Sequence, residues 1–141
     1  MIVDTSALVA IVGREPERDG FIRIVARSDS PRMSAASYLE TAIVIDGRAD
    51  PVVSRELDRF VTDLDLTITP VTAEQARVAR AAYRDFGRGS GHPARLTFGD
   101  CFSYALAVTE DEALLWKGDD FGHTDVRRAV PAAGGAQPPM E

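Results

Sequence analysis

Twelve residues at the start of the chain, MIVDTSALVAIV, restrict its fold more than any other stretch. Ile2 and Val3 are an apolar pair that suits a very short buried strand, and Asp4 follows directly. Ala7, Leu8 and Val9 then open an apolar helical run, for which Thr5 or Ser6 offers a capping hydroxyl. The pattern is strand, sharp turn, helix. In open α/β sheets ligands collect just beyond the carboxyl ends of the strands, and Asp4 is expected at that edge. A carboxylate flanked by apolar residues is costly to ionise unless positive charge lies nearby. Simple capping of the following helix is the competing explanation for Asp4.

The rest of the chain repeats the alternation. A helix with Pro16 in its first turn runs to about Arg27. Arg32 to Ser34 is a short strand, and Ala35 to Arg48 a helix. That helix carries Leu39, Ala42, Ile43, Val44 and Ile45 on more than one face, which predicts deep burial. Val52 to Leu64 is amphipathic, and Leu66 to Val71 alternates as a strand does. Thr72 and Gln75 form a capping-box pattern that opens a helix to about Phe86. The glycine-rich segment Gly87 to Pro93 is the best candidate for a mobile loop. Thr97 to Val108 is helical, and Ala113 to Trp116 a buried strand. Gly118 to Thr124 is a turn, followed by a last short strand or helix up to Val130. The low-complexity end, PAAGGAQPPME, is expected to be disordered. The fold class is therefore α/β: a three-layer α/β/α domain with a short, mainly parallel sheet. It is expected to span 1–131 as one unit, with 132–141 as a tail.

Composition narrows the function classes. A formal net charge of −6 in 141 residues argues against broad nucleic-acid binding through bulk charge, though not against a local basic rim. The single cysteine, Cys101, excludes an internal disulfide and reads as a buried structural thiol. No stretch approaches a membrane span and no signal peptide opens the chain, which reads as cytoplasmic.

Three acids sit where a solvated acid would not. They are Asp4, Glu40 within SYLETAIVI, and Asp100 within TFGDCFSYALA. Ser37 with Glu40, and Thr97 with Asp100, also match capping boxes, but Ser34 is the better cap for its helix and leaves Glu40 in the second turn. Buried acids that converge without a basic partner repel one another, and a divalent cation resolves this. Mg²⁺ favours one or two carboxylates plus waters, and an ion so held can activate a water and clamp a phosphate. No His or Cys cluster offers a zinc site. A further acidic region, LLWKGDDFGHTDV, places Asp119 and Asp120 beyond the last strand. Lys117 beside them suits either a phosphate or an acid. Arg84, Arg88, His92 and Arg95 flank the glycine-rich loop and are candidate contacts for RNA phosphates.

These four segments together resemble the PIN-domain ribonucleases, most closely the VapC toxins of bacterial toxin–antitoxin pairs. The likeness runs from about Met1 to Pro131. It implies a Mg²⁺- or Mn²⁺-dependent endoribonuclease, a cognate antitoxin that blocks the site, and a homodimer. By motif, Asp4, Glu40 and Asp100 match the family's three central acids, and Thr5 or Ser6 matches a supporting hydroxyl. Asp4 and Asp100 are expected to ligate the ion, with Glu40 acting through water. The family's commoner last motif has an acid where this chain has Gly118. The fourth acid is thus displaced to Asp119 or Asp120, with Asp119 favoured.

Three rival readings exist. A metal-independent ribonuclease would need a His pair, and the chain has only His92 and His123, both in loops. A phosphoacceptor receiver domain would need an Asp at the end of a middle strand, and Leu66 to Thr72 ends in none. A PIN-like domain that has lost turnover and only binds RNA or a protein partner is kept open by the displaced fourth acid.

Overall fold

The computed structural model describes residues 1–130. The tail expected at 132–141 lies outside the described residues. Four short strands, Ile2–Val3 (β1), Arg32–Ser34 (β2), Thr67–Thr69 (β3) and Leu114–Leu115 (β4), build one sheet in the order β3-β2-β1-β4. Every pairing is parallel: Ile2 lies opposite Arg32 and Leu114, and Met33 opposite Ile68. Six α-helices connect and cover it. They are Thr5–Val12 (α1), Arg18–Ala26 (α2), Ala35–Asp46 (α3), Pro51–Asp63 (α4), Ala73–Phe86 (α5) and Phe98–Thr109 (α6). A single 3₁₀ turn spans Asp120–His123.

The two-residue strands β1 and β4 hold their place because both faces are buried. Successive side chains on a strand point to opposite faces. Ile2 and Leu114 therefore pack with Leu96, Leu106 and Trp116 on the α5–α6 side. Val3 and Leu115 pack with Leu8, Ile11, Phe21 and Leu57 on the α1, α2 and α4 side. All four strand residues are 0–1% exposed, and full burial of a side chain of this size stabilises by roughly 1.5–3 kcal/mol.

The chain leaves β1 toward β2 and β3 on one side, then returns to lay β4 on the other. The order thus reverses between β1 and β4, where the carboxyl ends of parallel strands open a crevice. Asp4 leaves β1 at that point, and Lys117 to Asp120 leave β4 opposite it. A backbone bond from the Asp4 N–H to the Leu115 carbonyl, 3.0 Å, fixes the two ends together.

Three expectations are corrected. The helix read as deeply buried, α3, exposes Leu39 (59%), Ile43 (63%) and Val44 (42%). Its other apolar face meets α1 and the core through Ile45, but the outer one is covered by nothing among the described residues. The segment before Val130 is neither strand nor helix. It is the 3₁₀ turn followed by an isolated bridge between Leu114 and Arg128. The alternating run at Leu66 to Val71 shortens to Thr67–Thr69, since only those residues meet β2. The glycine-rich loop is tied across its base, with Gly87 bridging Leu96 and the Arg88 N–H bonding the Leu96 carbonyl at 3.0 Å.

Candidate active site

Asp4 is 3% exposed and is itself the cap of α1, in place of Thr5 or Ser6. Its Oδ2 accepts from the Ser6 N–H at 2.9 Å and the Ser6 hydroxyl at 2.6 Å. The Ser6 Oγ in turn accepts from the Lys117 N–H at 2.9 Å. One serine therefore couples the acid after β1 to the turn after β4. The Thr5 hydroxyl turns the other way and donates to the Ser37 carbonyl at 3.1 Å, docking α1 on α3. Behind Asp4, the buried hydroxyls of Ser37 and Ser103 bond each other at 3.0 Å, and the Ser103 hydroxyl favours the charged form of Asp4.

Asp100 stands in the first turn of α6, in a complete capping box with Thr97. The box occupies Oδ2, which accepts from the Thr97 N–H at 2.9 Å. Its Oδ1 has no hydrogen-bond partner among the described residues, so capping and a further role coexist in one side chain. Glu40 lies in the second turn of α3, whose cap is Ser34, accepting from the Ala36 N–H at 3.3 Å. The Glu40 carboxylate rests on Gly99: a Cβ built there would collide with both carboxylate oxygens. The Glu40 carboxylate thus occupies the space beside α6 that a side chain at position 99 would take.

The electrostatics tie these acids into one group. Burial pushes the Asp4 carboxyl above the ordinary range, the Ser103 and Ser6 hydrogen bonds oppose it, and the charge of Glu40 adds to the rise. Burial likewise raises Asp100, with the charges of Asp4 and Asp120 adding to it. Glu40, Asp4, Asp100 and Asp120 thus form a row of like charges. Among the described residues none of the four has a basic partner in an ion pair. Lys117, the nearest cation in sequence, is taken by Glu15 and Glu17.

Of the two acids after β4, Asp120 is the one whose charge reaches Asp100. Asp119 caps the 3₁₀ turn backbone, is exposed, and contributes to neither raised acid. The backbone reverses at Gly118 with φ +101°, a conformation that strains any residue with a side chain. That explains why no acid stands at 118.

The donor set decides which ion fits. Among the described residues no three Asp, Glu, His or Cys side chains already enclose a point as a closed ligand cage would. Paired carboxylates without nitrogen or sulfur donors do not suit zinc. They suit a hard cation that keeps several waters and takes one or two carboxylates directly.

Other candidates find structural places. His92 packs edge-on against Phe86 at 4.9 Å and its Nδ1 accepts from the Ala94 N–H at 3.1 Å. Arg84 pairs with its neighbour Asp85. Arg88 and Arg95 are exposed and make no ion pair among the described residues. The Cys101 thiol is buried and pushed up to about 11 by desolvation first and Asp100 second, which leaves it inert at neutral pH. Sequence reasoning missed Ser103, Ser37 and Gly99. A buried hydroxyl within an apolar helical run, and a glycine in a helix first turn where it costs stability, were the available signals.

A family model described as PIN domain matches residues 1–127. Ribonuclease VapC28 of Mycobacterium tuberculosis is 58% identical over 130 residues, spanning 92% of this chain and 98% of that protein. Ribonuclease VapC42 of the same species is 52% identical over 129 residues, with the same coverage of 92% and 98%. Among solved structures, Mycobacterium tuberculosis VapC20, described as a sarcin-ricin loop cleaving toxin, matches with a TM-score of 0.71 at 17% identity, covering 92% of this chain and 98% of that one. A toxin-antitoxin complex from Klebsiella pneumoniae matches at 0.63 and 16% identity, covering 85% of this chain and 88% of that one. At those identities the two structures speak for the fold.

Proposed function

The chain belongs to the PIN domain family, and from that premise we propose that it is a metal-dependent endoribonuclease, the toxin of a type II toxin–antitoxin pair. Its relatives that are identical over half or more of their aligned positions are named VapC ribonucleases. The single observation that carries the site assignment is the unneutralised row of Glu40, Asp4, Asp100 and Asp120 at the crevice between β1 and β4.

Asp4 and Asp100 would hold the ion, Asp100 having an Oδ1 that its capping box leaves free. When bound, Mg²⁺ or Mn²⁺ would supply an acidified water and a positive charge that stabilises the negative charge growing on the phosphoryl oxygens. Glu40, braced on Gly99, would orient the attacking water and take up a proton. Asp120 completes the cup, with Asp119 on its rim. Ser6 fixes the Asp4 carboxylate, and Ser6 and Ser103 favour its charged form against the burial that opposes it.

Two partners follow from the same reading. An antitoxin that inserts an arginine among the carboxylates would pair with them bidentately and block the cup. A second copy of the chain would cover the outer face of α3, where Leu39, Ile43 and Val44 adjoin Phe98 (76% exposed) and Phe102. A contiguous exposed apolar patch of this kind is characteristic of an interaction site.

Cleavage of a mixed pool of tRNA and structured RNA tests the reading. Wild type should cut with Mg²⁺ or Mn²⁺, stop on chelation, and recover when the ion is restored. Asp4→Asn and Asp100→Asn should not cut under any of these conditions. No cutting by metal-loaded wild type would leave a domain that only binds RNA or a protein.

A further inference from the structure

The charges of this chain are segregated. Between Gln75 and Gly99 stand five arginines, Arg77, Arg80, Arg84, Arg88 and Arg95, and one acid, Asp85. That segment is net +4, and with −6 for the whole chain the remainder carries −10. The basic segment ends one residue before Asp100.

Arg77, Arg80, Arg84 and Arg88 follow one another at intervals of three, four and four. On a helix such residues share a face, with about 5–6 Å between successive Cβ atoms. The first three lie on α5 and Arg88 just past its end. All five arginines are exposed, and only Arg84 makes an ion pair among the described residues. From Arg77 to Arg88 the row runs on the order of 16 Å along the helix axis. The end of α5 lies against the start of α6: Arg80 and Tyr83 line one cleft with Phe98 and Cys101, the neighbours of Asp100. At Arg80 the row therefore borders the first turn of α6, the turn that carries Asp100.

We propose that this arginine row is the track along which the sugar–phosphate backbone of an RNA strand is held while one phosphate is offered to the acids. The inference rests on the nuclease reading and deepens it. An acidic cup repels a polyanion, so a chain of net negative charge needs a local basic surface to bring one there. Arginines repeated at a fixed step, with almost no acids between them, suit a ligand that repeats its charge. They read phosphates and not bases, so they set affinity more than sequence choice.

The test uses Asp100→Asn throughout, so that RNA is bound and not cut, with a mixed-sequence fluorescein-labelled RNA oligonucleotide as the probe. Its dissociation constant is measured across a range of salt concentrations. Arg77→Gln/Arg80→Gln is compared with Arg23→Gln/Arg27→Gln on the remote helix α2, which removes the same charge. Each lost phosphate contact should lower the log–log salt slope by about 0.7 for a single strand. The first pair should thus lower it by about 1.4 and weaken binding at low salt, while the second changes neither. Equal slopes for both pairs overturn the track. So does equal competition by polyglutamate, which would mark the row as a site for an acidic protein. In the cutting-competent background, metal-dependent cleavage with an unchanged salt slope would retain the nuclease and discard the track. An altered slope without any cleavage by wild type would do the reverse.

Discussion

Gly99→Ala should separate activity from stability. Gly99 lies in the first turn of α6, and the three atoms nearest to a Cβ there all belong to the Glu40 carboxylate. The obstructing atoms are the far end of a flexible side chain, so the fold yields by swinging Glu40 away. Replacing a helical glycine by alanine restricts the unfolded chain and stabilises by about 0.4–1 kcal/mol. In a domain near this size that is a rise in Tm of about 1–4 °C. The site fares differently. The collision displaces the Glu40 carboxylate by an ångström or more from its place beside Asp4, and a misplacement of that order costs about 10²-fold in rate. Calorimetry and metal-dependent RNA cleavage on the same preparation give both numbers. A variant as active as wild type would refute the claim that Glu40 works from its rest on Gly99. A variant that lost both activity and stability would refute the claim that only a side chain yields.

Further outcomes follow from neighbouring contacts. Gly87→Ala should cost more than 2 kcal/mol in urea denaturation, because its Cβ would strike the Tyr83 carbonyl, a backbone atom that cannot move aside. Ser6→Ala should destabilise by about 1–3 kcal/mol and weaken Mn²⁺ binding measured by the free-ion EPR signal, since it orphans the Lys117 N–H and releases Asp4. Burial raises Asp4 and Asp100 when folded, so the folded chain holds protons that the unfolded chain has lost. Their contribution to stability is therefore present at acid pH and fades as pH rises above about 4 through the raised values. Metal-free wild type should show that loss in urea melts taken across pH, whereas Asp4→Asn/Asp100→Asn should lack it; matching pH slopes would contradict the raised values. Ile43→Glu should convert a dimer to a monomer in sedimentation, and a monomeric wild type would remove the second copy from the outer face of α3.

What the sequence revealed, it revealed through local conflict. An acid beside two strand residues, or inside an apolar helix, is a choice that folding alone does not favour. Asp4, Glu40 and Asp100 were visible for that reason, and the backbone brings them into one electrostatic group. The position of Asp100 in a capping box was visible too, because the box is a local pattern. That the charge of Asp120 reaches Asp100 was not visible, since it depends on how the turn after β4 lies against the start of α6. Periodicity found the apolar faces of α3 but had no means to say that one of them lacks a partner among the described residues. The hydroxyls of Ser37 and Ser103 escaped notice because they meet across sixty-six positions of sequence. The arginine row needed no structure to be counted, yet only the packing of α5 on α6 sets Arg80 in a cleft with the first turn of α6.

The most direct test of the account is the chemistry of the cut ends. RNA cleaved by metal-loaded wild type should carry a 5′-phosphate and a 3′-hydroxyl, the mark of attack by water, and Asp100→Asn should yield no such ends. Cyclic phosphate ends formed equally well by Asp100→Asn would contradict it, because the 2′-hydroxyl would then be the nucleophile and the acidic cup would have no part in the reaction.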